Sequence, residues 1–231
     1  MQVGQAVIAP NKLIRAARAI ALIALAATAF IGLLHMKSAQ PLLAKLGGCP
    51  VQHATRENMD AIRKYAVAQD HGEGIAPARP ALGFKLDQTT EDELRAWAKT
   101  NKVSCEENST RGSFVCKNVP GSALGDPDIV PVEELTLAFS PQGKLVNILA
   151  MREALTSARA SQVFVARKTR LEKDLGAPAH AGGKSDPAYF DEDVLRTAVV
   201  DYKYSDYECM VSATTMFDRT VAVREHYLST L

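Results

Sequence analysis

This chain of 231 residues contains few aromatic residues and few cysteines, and its net charge is small. Only 6% of the residues are aromatic and four are Cys, and 27 basic residues against 26 acidic ones leave a formal net charge of +1. With 47% hydrophobic residues, this composition excludes a collagen-like, strongly disordered or polytopic membrane protein. The length allows one or two domains, each with its own core.

Acidic residues are missing from the first 37 residues, which contain four basic ones. The remainder therefore carries 27 − 4 = 23 basic residues against 26 acidic ones, and it is mildly acidic. It also lacks a basic block, which a nucleic-acid-binding protein needs in order to neutralise phosphates. The composition therefore excludes nucleic acid as the expected partner.

A long apolar run is the main feature of the N-terminal region. Residues 19–34 read AIALIALAATAFIGLL, without a charge, and three basic residues precede them. Basic residues stay on the cytoplasmic side during membrane insertion, so the pattern predicts an anchor in the lipid bilayer over residues 19–36. Residues 1–37 would form a cytoplasmic basic tail and anchor. The C-terminal part would then be periplasmic, as in a single-pass protein of the cell inner membrane.

Two alternatives to an uncleaved anchor stay open. The Ala-Thr-Ala sequence at residues 27–29 fits the cleavage site of a signal peptide, and cleavage there would release the protein. The Leu-Gly-Gly-Cys sequence that ends at Cys49 is similar to the lipobox of bacterial lipoproteins, whose cysteine receives a lipid. Because the apolar run continues past residue 29 and polar residues separate it from Cys49, the anchor is the preferred interpretation.

All four cysteines follow the predicted export signal, and in an oxidising compartment such cysteines form disulfides. Cys105 and Cys116 flank a turn-forming stretch, so the sequence predicts a disulfide between them. Cys49 and Cys209 could form a second one. The cysteine spacing does not match a zinc site, and the sequence contains no recognisable catalytic, cofactor-binding or metal motif.

The exported part is predicted to begin with a juxtamembrane helix and a linker over residues 38–80. Apolar residues recur at helical spacing between Arg56 and Gln69. The linker that follows is rich in Pro and Gly, which interrupt regular structure.

Residues 81–153 form the first predicted α+β unit. Thr90 and Glu93 make up a capping box at the start of a helix. Four strands follow, over residues 103–106, 113–118, 133–139 and 144–151. The Ser-Pro-Gln-Gly sequence at residues 140–143 predicts the turn between the last two strands.

Residues 154–231 form the second predicted unit. It opens with a helix that is capped by Thr156 and ends at Leu175, followed by a loop over residues 176–193. The charged residues Arg159, Arg167, Arg170 and Glu172 are assigned to the polar face of this helix. Three strands complete the unit, over residues 197–204, 207–215 and 220–227. The predicted fold class is therefore α+β, an N-terminal transmembrane helix followed by two helix-plus-antiparallel-sheet units.

A resemblance to a known family rests on the segment LGFKLDQTTEDELRAWAKTN and the later hairpin ELTLAFSPQGKLVNI. Together they resemble the small envelope domains typified by BamE (SmpA) and, in tandem form, the β-lactamase inhibitor protein. The resemblance covers residues 82–151, with a weaker similarity over residues 157–227. It implies a non-enzymatic binding or scaffold module. Most members are lipid-anchored at the outer membrane, and the long N-terminal anchor departs from that pattern.

These features predict a membrane-anchored periplasmic module that binds another envelope protein. A periplasmic hydrolase with a site assembled from distant residues is one alternative, and a secreted inhibitor, which requires signal cleavage, is another. Tyr207 is the candidate partner-binding residue, because it follows a turn and is expected to be exposed. Tyr202 and Tyr204 share a strand face with Val200 and are expected to be buried.

Overall fold

The structure, a computed structural model, describes residues 55–126 and 130–231. Four α-helices and eight strands lie in this part of the chain, in the order α1 (Arg56–Gln69), α2 (Glu91–Asn101), β1 (Ser104–Asn108), β2 (Ser113–Val119), β3 (Val132–Phe139), β4 (Leu145–Leu155), α3 (Ser157–Leu175), β5 (His180–Gly182), α4 (Pro187–Glu192), β6 (Thr197–Lys203), β7 (Tyr207–Thr215) and β8 (Val221–Ser229).

The predicted membrane anchor over residues 19–36 lies outside the described residues. Within residues 55–126 and 130–231, no helix combines the length and the apolar character needed to cross a membrane.

Capping residues begin the three longer helices, and the caps of α2 and α3 are those predicted from the sequence. The side chain of Thr55 accepts a hydrogen bond from the amide of Asn58 at the start of α1, and Thr156 does the same for Arg159 at the start of α3. Thr90 and Glu93 form the complete capping box of α2. Each cap satisfies an amide that has no partner inside the helix, which fixes the first turn.

All eight strands belong to one antiparallel sheet with the order β1-β2-β3-β4-β8-β7-β6-β5. The prediction of two separate helix-plus-sheet units is therefore wrong. Strand β4 pairs with β8, from Asn147 opposite Leu228 to Arg152 opposite Val223, and this pairing joins the halves. A separate sheet in each half would leave the N–H and C=O groups of both strand edges unpaired, and the pairing satisfies them.

One face of the sheet carries most of the core. Residues opposite each other in antiparallel strands share a face. A continuous row of such neighbours crosses six strands and consists of Phe114, Leu137, Ile148, Tyr227, Cys209 and Tyr202. All six are buried. Helix α3 packs against β7 and β8 over this core, and α2 contributes its fully buried Leu94 to the same core.

Helix α1 lies at the opposite face of the sheet. The guanidinium of Arg63 donates hydrogen bonds to the carbonyls of Ser229 and Leu231, which ties the helix to the end of the chain. Met59 and Ile62 line an apolar cavity of about 420 Å³ between the helix and the sheet residues.

The segment over residues 176–193, expected to be a loop, contains β5 and α4. The side chain of Asp186 caps α4, and Phe190 inserts into the core with 1% of its surface exposed. A three-residue strand and a six-residue helix are too short to show a hydrophobic period, so the sequence pattern did not indicate them.

The predicted disulfide between Cys105 and Cys116 is confirmed. The two residues lie directly opposite each other on β1 and β2, and the bond covalently joins the edge strand to the sheet.

Removing this disulfide should destabilise the protein. The double variant Cys105→Ser/Cys116→Ser is expected to lose about 3 kcal/mol of unfolding free energy, because the unfolded chain regains the entropy of an open loop. Denaturant unfolding under oxidising conditions measures the loss, and reduced wild-type protein should match the variant. Equal stability of the variant and the oxidised protein would contradict this expectation.

Candidate functional site

A carboxylate is buried at the junction of the two halves of the sheet. In β8, Val221, Val223 and Tyr227 point to the core face, and the two-residue period of a strand places Glu225 on that face as well. Its side chain is 0% exposed. A buried carboxylate requires positive partners, since an unpaired charge in the core is strongly unfavourable.

Two arginines and a tyrosine satisfy the carboxylate of Glu225. Nη1 of Arg152 and the hydroxyl of Tyr227 donate hydrogen bonds to it, and Nε of Arg167 lies 3.1 Å from it. Arg152, which lies on β4, also donates from Nε to the carbonyl of Val130 at 3.0 Å. This Glu225 cluster therefore links β4, β8 and α3.

Arg167 lies on the buried face of α3, so its assignment to the polar face is wrong. Its side chain is 4% exposed. It lies in the same stripe as the buried residues Ala160, Phe164 and Leu171, at the helical spacings of three and four residues. A charged residue can occupy this position because Glu225 and Asp126 both accept hydrogen bonds from its guanidinium.

One nitrogen of the Arg167 guanidinium makes no hydrogen bond to the described residues. Nε binds Glu225 and Nη1 donates to Asp126 at 3.0 Å, whereas the buried Nη2 has no hydrogen-bond partner among the described residues. A buried donor without an acceptor is unfavourable by about 1–3 kcal/mol, and more if it is charged.

A cavity of about 280 Å³ adjoins Arg167, and we call it the cationic pocket. Its basic lining residues are Arg79, Lys85, Arg167 and Arg170. Its remaining lining consists of Tyr227 and of small and apolar residues, namely Pro80, Ala81, Leu82, Gly83, Phe84, Leu124 and Leu171. Among the described residues that line it, none is acidic. The pocket is therefore suited to a negatively charged group.

The segment 79–85 forms one wall of the pocket. Leu82 and Gly83 both have positive φ, and the turn that they form is closed by a hydrogen bond from the amide of Phe84 to the carbonyl of Ala81. Glycine adopts this conformation readily, which allows the chain to reverse beside the cavity. Arg79 is fixed in the wall by a hydrogen bond to Asp87 at 2.5 Å.

Tyr207 lies behind this wall, so the expectation that it is exposed is wrong. Its side chain is 0% exposed, and its hydroxyl donates to the carbonyl of Pro80 at 2.5 Å. The amide of Tyr204 bonds to the carbonyl of Tyr207 across the turn, so the two residues lie opposite each other and share a sheet face. Tyr202 is buried as expected, whereas Tyr204 is only half-buried. Tyr207 thus supports the pocket from the core.

The charged residues of the Glu225 cluster shift one another's pKa values. Burial alone would raise the pKa of Glu225, but the positive charges of Arg152 and Arg167 outweigh burial and lower that pKa below its ordinary value. Burial would lower the pKa of Arg167, and the charge of Glu225 raises it instead. Burial, followed by the charge of Glu225, raises the pKa of Tyr227. Both the lowered pKa of Glu225 and the raised pKa of Arg167 favour the ionised forms of this pair.

The second predicted cysteine pair is only partly described. Cys209 lies in the core with 1% of its surface exposed, and burial raises the pKa of its thiol. Cys49 lies outside the described residues, so its pairing with Cys209 stays a prediction.

No known protein family matches this chain, and neither a curated protein nor a solved structure is significantly similar to it. The resemblance to BamE-like domains therefore stays a prediction.

The Glu225 cluster leads to a prediction about stability. The variant Glu225→Gln leaves the buried guanidinium of Arg152 without a counter-charge and that of Arg167 with Asp126 alone, and we expect it to lose about 3 kcal/mol of unfolding free energy. Glu153→Gln, at an exposed position of β4, is the matched control and should change stability little. Denaturant unfolding at pH 7 measures both variants.

The difference in unfolding free energy between the wild type and Glu225→Gln should be smaller at acidic pH. Because the folded-state pKa of Glu225 is lowered, its stabilisation is complete above the ordinary value of 4.5 and is lost as the pH falls through the folded-state pKa. The stability difference between wild type and Glu225→Gln should therefore narrow below pH 4.5. A difference that stays constant down to pH 2 would contradict an ionised Glu225.

Proposed function

We propose that this protein is a binding module of the cell envelope that contacts another envelope component through the cationic pocket. The observation that carries the proposal is the pocket itself. Four basic side chains line it, and none of the described residues of its lining is acidic. Such an arrangement favours an anionic group of a partner, because charge-assisted hydrogen bonds are the stronger ones.

Two further features support a location outside the cytoplasm. The disulfide between Cys105 and Cys116 is of the kind that persists in oxidising compartments. The apolar run at residues 19–34 with its basic flank remains the sequence argument for attachment to the inner membrane, with the C-terminal part on the periplasmic side.

The pocket is rigid, which suits a binding role. Its floor is fixed by the Glu225 cluster, and its wall is fixed by the hydrogen bonds of Pro80 to Tyr207 and of Arg79 to Asp87. A preformed site loses little conformational entropy when a ligand binds. Two of its cations, Lys85 and Arg170, are exposed and thus accessible to a partner.

Charge reversal at these two positions tests the proposal. We expect Lys85→Glu/Arg170→Glu to reduce the recovery of envelope partners about tenfold, because the variant repels the anionic group that the wild type binds. The measurement is quantitative affinity capture from solubilised envelopes with the full chain. The partners that the wild type captures should also be released by high salt, which screens charges.

The matched control is Arg159→Glu, because Arg159 is an exposed arginine of the same helix outside the pocket lining. It should capture the same partners as the wild type, and all three proteins should have similar melting temperatures. Equal capture by the pocket variant and the wild type would refute a role of the pocket in partner binding.

A further inference from the structure

A second cavity lies on the other face of the sheet, beneath helix α1, and we call it the α1 cavity. Its volume is about 420 Å³, and it shares no lining residue with the cationic pocket. Close-packed protein interiors leave few voids larger than a water molecule, whereas small-molecule sites have volumes of roughly 300–1,000 Å³. The α1 cavity therefore has the size of a ligand site.

Short side chains of the sheet leave the space beneath the helix. Ser113, Ala138, Asn147 and Leu228 are successive cross-strand neighbours on β2, β3, β4 and β8, and all four line the cavity. Residues opposite each other in antiparallel strands share a face, so this row forms the floor of the cavity. Because Ser113 and Ala138 are small, the sheet does not fill the volume below α1 at this point.

Contacts at both ends hold α1 across this row. At its start, the amide of Arg56 donates to the carbonyl of Thr110 at 2.8 Å. At its end, Asp70 forms an ion pair with Lys203 of the sheet. Together with the hydrogen bonds of Arg63 to the end of the chain, these contacts form the cavity before any ligand arrives. A preformed site loses little conformational entropy on binding.

The accessible lining of the α1 cavity is mainly apolar. Met59 and Ile62 keep 37% and 47% of their surface exposed, so the protein itself does not bury them. Phe139, Val146 and Leu228 complete the apolar lining from the sheet. A ligand that covers Met59 and Ile62 gains the free energy of removing their apolar surface from water.

The charged side chains of the described lining already have partners. Asp60 accepts hydrogen bonds from Arg63 through one oxygen, and its other oxygen lies 3.1 Å from Nζ of Lys64. All three guanidinium nitrogens of Arg63 are occupied, by Asp60 and by two backbone carbonyls. Arg111, the third charged residue of the lining, has a partner as well. A charged ligand would therefore have to compete with existing pairs.

His226 lines the cavity as a neutral side chain at pH 7. Burial, followed by the positive charge of Arg224, lowers the pKa of its imidazole to about 4. Its Nε2 lies 2.8 Å from Oδ1 of Asn147, so these two polar groups satisfy each other. Moving an unpaired charge from water into such surroundings is strongly unfavourable. The lining thus selects against ions.

We propose that the α1 cavity is a binding site for a small, uncharged and mainly apolar molecule. The molecule would lie between α1 and the sheet and would cover Met59 and Ile62. This site is separate from the cationic pocket, and the inference does not depend on the proposed function.

Methyl NMR of the full chain in detergent tests the inference. The probes are 1-octanol and octanoate, which have the same chain length, and only octanoate is charged at pH 7. We expect octanol to shift the ¹³C-methyl signal of Met59 to saturation, and octanoate to bind at least about tenfold more weakly, because its carboxylate must lose water without gaining a free cation. Met216, which is exposed to a similar extent (41%) but lies outside the lining, is the internal control and should not shift.

Variants that fill the cavity place the binding there. Ala138→Leu, on the floor, and Ala66→Leu, on α1, should each weaken octanol binding about tenfold, because the added carbons occupy the ligand's volume. Ala66 is exposed, so its replacement tests the site even if Ala138→Leu disturbs the fold. The matched control is Ala222→Leu, at a half-buried position of β8 outside the lining, which should bind octanol like the wild type.

Three results would overturn the inference. The first is a Met59 signal that responds to neither probe. The second is octanoate binding as tightly as octanol, which would contradict selection against ions. The third is an octanol response that is equal at Met59 and Met216 or that persists in both filled variants, since this would indicate partition into detergent or onto the surface.

Discussion

The buried carboxylate of Glu225 is the constraint on which the rest of the structure depends. It lies in the core without exposure to water, and this is tolerable only because Arg152, Arg167 and Tyr227 all contact it. Buried ion pairs add little net stability compared with an apolar core, but they require definite partners in definite positions. The cluster therefore fixes which strand lies beside β8 and which residue of α3 faces the sheet.

The cationic pocket exists because the two halves of the chain share a sheet. Its wall, the segment 79–85, precedes the strands of the first half, whereas Arg167 and Tyr227 belong to the second. Arg152 of β4 and Glu225 of β8 form their ion pair across the junction of the halves. A chain folded as two separate units would have neither this pair nor a common cavity beside it.

Local patterns in the sequence predicted the helices and strands well, but not how they associate. The caps of α2 and α3 and the disulfide between Cys105 and Cys116 depend on neighbours in sequence, and they are confirmed. The pairing of β4 with β8 depends on residues far apart in the chain, and the sequence of one protein does not reveal it. Arg167 was assigned to the polar face of α3 because it is charged, although its helical spacing from Phe164 and Leu171 indicated burial. Glu225 was expected to form a surface pair with His226, although the strand period that it shares with Val223 and Tyr227 indicated burial.

The central claim is that Glu225 holds the Arg167 guanidinium rigidly in the core. Arginine side-chain NMR of the full chain with ¹⁵N-labelled arginine tests this directly. Hindered rotation should give separate Nη signals for Arg167, while the signals of exposed Arg159 stay averaged. A single averaged Nη signal for Arg167 would contradict the account.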